Sequence, residues 1–493
     1  MLKLFNTLTK KIEEFKPIKK GEVRMYSCGP TVYNFIHLGN ARAYVVSDLL
    51  KRYLKYLGLQ VKHVMNITDV DDKTIRDSQK AKKTLKEFTD FYLKSFLEDL
   101  EALNIEMPDF MPKATKHIKE MVNLVKKIEK RGYAYRINNS IYFKISKFKN
   151  YGQLAQLEQQ SLKLNASKRL NIKDEYEKEN VNDFVLWKAW DQADDEVFWE
   201  TAIGKGRPGW HIECSAMSMK YLGEHFDIHT GGVDLIFPHH TNEIAQSETA
   251  TGKKFVNYWL HNAHLVVNGQ KMSKSQGNFY TLKDLKEKKY KPLFLRIILL
   301  KTHYRQILNF TFKEFEEARA IALRLINFLI NLDFVQREKR PSSSPDPRSG
   351  HYGAGNDLKI DHLIESYRKN FKKAMDNDLN ISEAFSIVFD LVNGINKSMT
   401  FLTVDQARKI KDFIFEIDKV FGFIEKLYNE YNSLLEEKIE DKRIRPLLEE
   451  REKARKQKDF QKADFLRKKI EKTGLSIEDT KEGFLLKIKD YYY

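Results

Sequence analysis

Residues 21–67 carry a change of hydrophobic period that leaves few folds open. Gly21 to Ser27 reads as a buried strand, with Val23 and Met25 inward, turning at Cys28-Gly29-Pro30. From Gly39 to Leu57 the apolar residues Ala43, Val46, Leu50, Leu54 and Leu57 recur at helical spacing, and Gly58 stops the run. Val61 to Ile67 then reads as another strand. Strand, helix and strand in this order make a βαβ unit, so the predicted fold is α/β, built on a parallel sheet of nucleotide-binding type. Phe226-Asp227-Ile228-His229 and Ala263 to Val267 read as further strands of that sheet.

A chain of 493 residues is long enough for several domains and a sizeable core. Between the halves of the sheet, residues from about 115 to 200 carry hairpin-like pieces (Ala134-Tyr135-Arg136 and Ser140-Ile141-Tyr142-Phe143) and read as an insertion. Beyond about 288 the chain turns helical and charged. The Pro-, Ser- and Gly-rich stretch Arg340 to Asn356 reads as a poorly ordered linker. A helical region from Asp357 to Glu437 follows, then a short basic module over 440–493. The N-terminus shows no signal-peptide pattern and no run reaches transmembrane length, so a cytoplasmic protein is expected. The net charge of +17 suggests a polyanionic partner. Two cysteines, Cys28 and Cys214, are too few for a secreted disulfide framework.

Two motifs point to nucleotide chemistry. Lys271-Met272-Ser273-Lys274-Ser275 places two lysines in a loop of small polar residues after an apolar run, a loop suited to holding a polyphosphate. His37-Leu38-Gly39-Asn40 lies where the first strand passes to the first helix. Gly39 allows close backbone approach there, and the helix start offers amides to phosphate. Gly204-Lys205-Gly206-Arg207-Pro208-Gly209 also matches GxGxxG, but Pro208 spoils the turn and a dinucleotide reading is rejected. Cys28, Cys214, His239 and Glu243 have the donor types of a tetrahedral zinc site. His239 and Glu243 are spaced to share one helix face. Donor types alone leave each histidine open to the plainer reading of a satisfied polar residue, and the absence of HExxH disfavours peptidase chemistry.

The pairing of HLGN with KMSKS resembles the signature of class I aminoacyl-tRNA synthetases, Leu38 and Asn40 standing in place of the usual HIGH residues. Cys28-Gly29-Pro30-Thr31-Val32-Tyr33, Asn66-Ile67-Thr68-Asp69-Val70-Asp71-Asp72-Lys73, Arg207 to Cys214 and Phe237-Pro238-His239-His240 are similar to the cysteinyl-tRNA synthetase family. So are Asp376 to Asn380 and Ile477 to Thr480, so the likeness spans nearly the whole chain.

The resemblance implies a Rossmann-like catalytic domain over 1–310 with an inserted subdomain, a stem-contacting helical region over 311–340, a flexible linker over 341–356, a helical bundle over 357–437 and an anticodon-binding module over 440–493. It implies activation of L-cysteine by ATP, with Mg²⁺ escorting the nucleotide, and transfer to tRNA(Cys) by a monomer. It assigns Pro30, His37, Gly39, Asn40, Lys271, Ser273 and Lys274 to ATP, with His37, Asn40, Lys271 and Lys274 catalytic. Gly29, Thr31, Thr68, Trp210 and His229 would surround the amino acid, and Cys28, Cys214, His239 and Glu243 would hold zinc. Arg455, Asp464 and Asp479 would touch tRNA. Zinc suits the substrate: a pocket alone rejects an isostere by only roughly a hundredfold, whereas the metal prefers a thiolate to a hydroxyl. A cysteine ligase acting on an amino sugar is a competing reading that the basic tail disfavours. A non-catalytic RNA-binding relative is another, opposed by the intact motifs.

Overall fold

The computed structural model describes residues 1–156, 183–337, 355–479, 484–489 and 491, without the side chains of Lys274, Arg337 and residues 355–358. The expected linker thus lies almost entirely outside the described residues. The chain divides into two compact units. The first comprises Met1–Asp284, Thr302–Phe310 and Met375–Asn380; the second comprises Leu285–Lys301, Thr311–Ala374 and Ile381–Tyr493.

The first unit is built on a four-stranded, all-parallel sheet. Its elements are β1 (Glu22–Ser27), α1 (Leu38–Tyr56), β2 (Gln60–Met65), α2 (Trp210–Leu222), β3 (Phe226–Gly232), α3 (Thr241–Thr251) and β4 (Val256–Asn262), with strand order β4-β3-β1-β2. Such a sheet is covered on both faces, so its strands read as continuous apolar runs rather than alternating ones. All seven residues of β3 are buried. Thr230 within it hydrogen-bonds Ser47 of α1 at 2.8 Å, which satisfies the one hydroxyl a buried strand there would otherwise strand.

One reading of the sheet needs correction. The stretch Ala263 to Val267 is not a strand of this sheet: Leu265–Val267 pairs in parallel with Leu308–Phe310 and antiparallel with Gln270–Lys271, in a separate three-stranded sheet. The chain leaves the parallel ladder at Asn262, where Arg42 Nη1 donates to the carbonyls of Ala263 and His264 at 2.9 and 2.7 Å and Ala263 N donates to Tyr304 O at 2.8 Å. The fourth strand is instead β4. Helix α1 buries more than its apolar residues; Arg42, Asp48, Lys51 and Arg52 are buried beside them. Arg52 pairs with Asp48 at 2.7 Å, so a helix packed on several sides keeps a charge pair inside.

The insertion forms a five-stranded antiparallel sheet, in the order Ala134–Ile137, Ser140–Phe143, Phe184–Ala189, Gly204–Pro208, Trp199–Thr201, so it runs past residue 200 to Pro208. Gly204–Pro208 is one of its strands, consistent with rejecting a dinucleotide turn there. In the second unit, helices Glu314–Arg337, Gly355–Asp376, Ile381–Ser398, Val404–Phe421 and Ile424–Glu440 precede a module of two helices, Arg445–Lys456 and Phe460–Glu471, and a hairpin of Leu475–Asp479 with Phe484–Ile488.

Candidate active site and metal centre

The C-terminal ends of β1, β2 and β3 share one edge of the sheet, where ligands bind in open parallel folds. Here β1 ends at Ser27, level with Thr230 of β3 and Met65 of β2. Beyond it the chain continues extended: Thr31 bridges Thr68, Val32 N donates to Thr68 O and Thr68 N to Pro30 O, each at 3.1 Å. Gly29 N donates to Asn66 Oδ1 at 2.8 Å, and a Cβ on Gly29 would sit 1.7 Å from Asn66 O, so no side chain fits there. Gly29, Pro30, Thr31 and Thr68 therefore share one small region. Thr68 is buried and donates to Glu213 Oε2 at 2.9 Å; the other oxygen of buried Glu213 has no hydrogen-bond partner among the described residues. Burial pushes the Glu213 carboxyl well above the usual carboxylate range. Glu213 was not singled out from sequence, since a lone acid between two motif residues gives no signal.

His37 caps α1 with its own ring. Nδ1 accepts from the amides of Gly39 (3.1 Å) and Asn40 (3.3 Å), and Asn40 Oδ1 accepts from His37 N. This assigns the neutral-ring proton to Nε2. It also modifies the sequence expectation: two of the helix-start amides are already engaged by the histidine. The KMSKS segment comes to the same place. His37 forms a β-bridge with Thr281, Leu38 N donates to Tyr280 O at 3.1 Å, and the His37 ring lies edge-on to Phe279 at 5.2 Å. Met272 Cε lies 3.5 Å from where a Cβ on Gly39 would stand. Within the loop Ser273 N donates to Asn278 Oδ1 at 2.7 Å and Asn278 Nδ2 to Lys271 O at 3.2 Å. Lys271 is exposed; Lys274 begins a short 3₁₀ turn and its side chain lies outside the described residues.

Arg42 joins the two motifs from beneath. It is fully buried on α1 and donates to the main-chain oxygens of Ala263, His264, His303 (3.4 Å) and Gln306 (2.5 Å). No carboxylate pairs with it among the described residues. Its role was invisible in the sequence, where it reads as one more surface arginine.

Cys28, Cys214, His239 and Glu243 converge. Their donor atoms all lie within 4.8 Å of one another. Cys28 Sγ is 4.0 Å from Cys214 Sγ and 3.9 Å from Glu243 Oε1, while His239 Nε2 is 3.4 Å from Cys214 Sγ and 3.2 Å from Glu243 Oε1. Cys28 directly follows β1, Cys214 lies in the first turns of α2, His239 just precedes α3 and Glu243 lies on it. A second set, Cys28, His229, His240 and Glu243, overlaps the first, and His240 was not foreseen. In that set His240 also bonds His261 through Nδ1 at 2.7 Å. His229 Nε2 lies 3.0 Å from Glu243 Oε2, and its ring stacks on Trp259 at 4.5 Å. His229, expected beside the amino acid, thus contacts a candidate ligand from behind. Burial pushes the Cys28 thiol well up and the Cys214 thiol up, and lowers His239 and His240 well below the usual imidazole range. Two thiols, imidazoles kept neutral by burial and a carboxylate suit a bound cation, which would favour the thiolates. Trp210, expected to meet substrate, is 40 % exposed with its ring 4.2 Å from that of His239, so it is not core packing.

The three residues expected to touch tRNA lie in the second unit. Asp479 pairs with Arg455 and with Arg451. Although burial raises its pKa, hydrogen bonding and charge from Arg451, with further charge from Arg455 and Arg467, hold the carboxyl below its ordinary range. Asp464 is exposed on Phe460–Glu471. Arg455 and Asp479 are thus brought together, and their contact engages both groups.

Comparison with known proteins gives a consistent answer. Residues 14–320 match the family described as tRNA synthetases class I (C) catalytic domain, and residues 370–425 match the DALR domain. A cysteine–tRNA ligase of Brachyspira hyodysenteriae is 46% identical over 98% of this chain and 99% of its own length. One from Koribacter versatilis is 43% identical over 99% of this chain and 100% of its own. Among solved structures, Mycobacterium tuberculosis methionyl-tRNA synthetase in complex with methionyl-adenylate superposes with a TM-score of 0.59 at 14% identity, covering 81% of this chain and 90% of that one, a likeness of fold alone. By its sequence over almost its full length, and by the parallel sheet that brings its two signature motifs together, the chain belongs to the cysteine–tRNA ligase family of class I tRNA synthetases.

Proposed function

We propose that the chain is a cysteine–tRNA ligase, which activates L-cysteine with ATP and transfers it to tRNA(Cys). The observation that carries the choice of amino acid is the meeting of Cys28 and Cys214, distant in sequence, with His239 and Glu243 at the ends of the parallel strands. Tetrahedral zinc, with bonds of ~2.0–2.3 Å, holds its ligand atoms roughly 3.3–3.8 Å apart. Of the separations between neighbouring donors, 3.4 Å lies inside that range and 3.2, 3.9 and 4.0 Å stand just outside it, so small side-chain movements would close the set on the ion. The set with two thiols is favoured over the overlapping one, because thiolates select zinc and His240 is engaged by His261. Zinc held there would favour a thiolate ligand over a serine hydroxyl, which supports cysteine as the substrate without a separate editing site.

The protein's own groups position the reactants. Gly29, Thr31, Thr68, Trp210 and His229 are assigned to the amino acid: the lack of a side chain at Gly29 lets Asn66 O approach the strand end, and the Trp210 ring stands against His239. The cysteine carboxylate attacks the α-phosphorus of ATP, and pyrophosphate departs. The Nε2–H of His37, Asn40 and the lysines Lys271 and Lys274 are assigned to the phosphates, with Lys274 facing the charge that develops on the leaving group. Pro30, Gly39 and Ser273 shape the nucleotide site, and Mg²⁺ would accompany ATP. With little covalent work asked of the protein, positioning and electrostatics supply most of the acceleration. The tRNA terminal ribose then attacks the adenylate carbonyl and AMP leaves.

On this reading residues 1–310 are the catalytic domain, 311–340 contact the acceptor stem, 341–356 link to the bundle of 357–437, and 440–493 reads the anticodon, with Arg455, Asp464 and Asp479 at the RNA. A cytoplasmic monomer is part of the proposal; among the described residues no helix is long and apolar enough to cross a membrane. The matched DALR domain and the near full-length relatives favour tRNA over an amino sugar as acceptor. The test is cysteine-dependent ATP–pyrophosphate exchange and charging of a tRNA(Cys) transcript, with zinc content measured on the same sample. Exchange with serine as strong as with cysteine, or unchanged cysteine preference after zinc removal, would defeat the proposal.

A further inference from the structure

Just ahead of His37 in the chain, Phe35 joins a group of rings that the chemistry above does not use. Phe91, on the helix Leu85–Ala102, is 53 % exposed. Its ring lies edge-on to Phe35 at 6.1 Å and to Tyr92 at 5.1 Å, and Phe35 stands two residues before His37. Exposed lysines lie over these rings: Lys83 Nζ is 5.6 Å from the centre of Phe91, and Lys283 Nζ is 4.6 Å from that of Phe35. Lys73 Nζ stands 5.1 Å over Tyr33 of the strand-end segment. Lys283 follows the KMSKS loop in the chain. Neither Lys73 nor Lys83 forms an ion pair among the described residues.

An outward-facing ring with an ammonium group over it is poorly suited to folding and well suited to one kind of ligand. The faces of unpaired bases stack on aromatic rings, and the phosphates between them are neutralised by lysines. An apolar protein partner would cover Phe91 but leave the Lys83 ammonium group over it to be desolvated without a charged partner. We propose that Phe91, with Lys83 over its ring and Lys283 over the adjoining Phe35, is the ledge on which the unpaired 3′ end of the RNA substrate lies as its terminal ribose reaches the adenylate. This rests on the reading of the chain as a tRNA ligase and adds where the reacting end of that RNA is held.

The experiment compares the full-length protein with Phe91→Ala, Phe91→Trp and Lys83→Ala in two assays. Phe91→Ala lowers kcat/KM for tRNA about tenfold, the effect of one lost base stack. It leaves cysteine-dependent ATP–pyrophosphate exchange at the wild-type rate, and Phe91→Trp restores charging. Lys83→Ala reduces the slope of log kcat/KM for tRNA against log salt by about 0.7, as for one phosphate contact on a single strand. Intact exchange with unchanged charging in Phe91→Ala overturns the ledge alone. An equal loss of exchange and charging also overturns it, since the ring would then be supporting the adenylate site. A wild-type protein that forms no cysteinyl-adenylate overturns the functional reading and the ledge with it.

Discussion

Replacing Arg42 by Met separates the two nucleotide motifs without touching either. The guanidinium donates to four main-chain oxygens, those of Ala263, His264, His303 and Gln306, and so fastens the helix capped by His37 to the strand that leads into KMSKS. Hydrogen bonds from a charged donor contribute roughly 1.5–3 kcal/mol each. Their sum is offset by several kcal/mol of desolvation, because Arg42 is fully buried and no carboxylate among the described residues pairs with it. The same burial lowers its pKa to about 10. Breaking such a buried arrangement from one side costs about 3–5 kcal/mol. Met keeps the apolar stem and leaves the oxygens without their donor; Lys keeps a charge but not the fork, so its loss is smaller. Urea unfolding of the zinc-loaded protein, followed by circular dichroism, measures the stability change. ATP–pyrophosphate exchange on the folded protein should show a raised KM for ATP with the KM for cysteine nearly unchanged, because the cysteine pocket lies at the other strand ends. A destabilisation below about 1 kcal/mol, or equal rises in both KM values, would refute the reasoning.

Lys274→Ala should reduce adenylate formation by about 10²–10³-fold, as for loss of one charge-stabilising donor, while zinc content and tRNA binding stay at wild-type levels; a wild-type exchange rate would contradict its role. His229→Gln, which alters the partner of Glu243, should weaken zinc binding by roughly 10–100-fold in competition with a chromophoric chelator. Unchanged zinc affinity would show that Glu243 is oriented without it. The buried His63, bonded through Nε2 to Ser27 at 2.7 Å, has its pKa lowered by burial from 6.5 to about 3. The unfolded chain therefore binds a proton below pH 6.5 that the folded chain refuses until near pH 3, so this residue removes stability as pH falls through that window and none above it. Between pH 7 and pH 5 the loss is about 2 kcal/mol, and His63→Gln should abolish that share of the acid sensitivity in chemical denaturation; an unaltered pH slope would disprove it.

Much of this was open to reading from residue order. The βαβ period of residues 21–67 announces the parallel sheet, and the donor types Cys28, Cys214, His239 and Glu243 could be named because each carries its chemistry in its side chain. The assignment of Ala263 to Val267 to the main sheet failed because a short apolar run looks the same in either sheet, and only its contacts with distant segments decide which ladder it joins. The spacing of apolar residues in α1 announced the helix but not the burial of Arg42, Asp48 and Arg52, which packing on several sides decides.

Local pattern sets what a residue can do; chain crossing sets what it does it to. That His37 would begin a helix followed from its neighbours, but that its ring caps the helix and lies against Phe279 depended on the return of the chain after KMSKS. That His229 would be buried followed from an apolar strand. Its placement behind Glu243, and that of Phe91 outside beside Phe35, arose from contacts between segments far apart in the chain, whose distances no one-dimensional spacing contains.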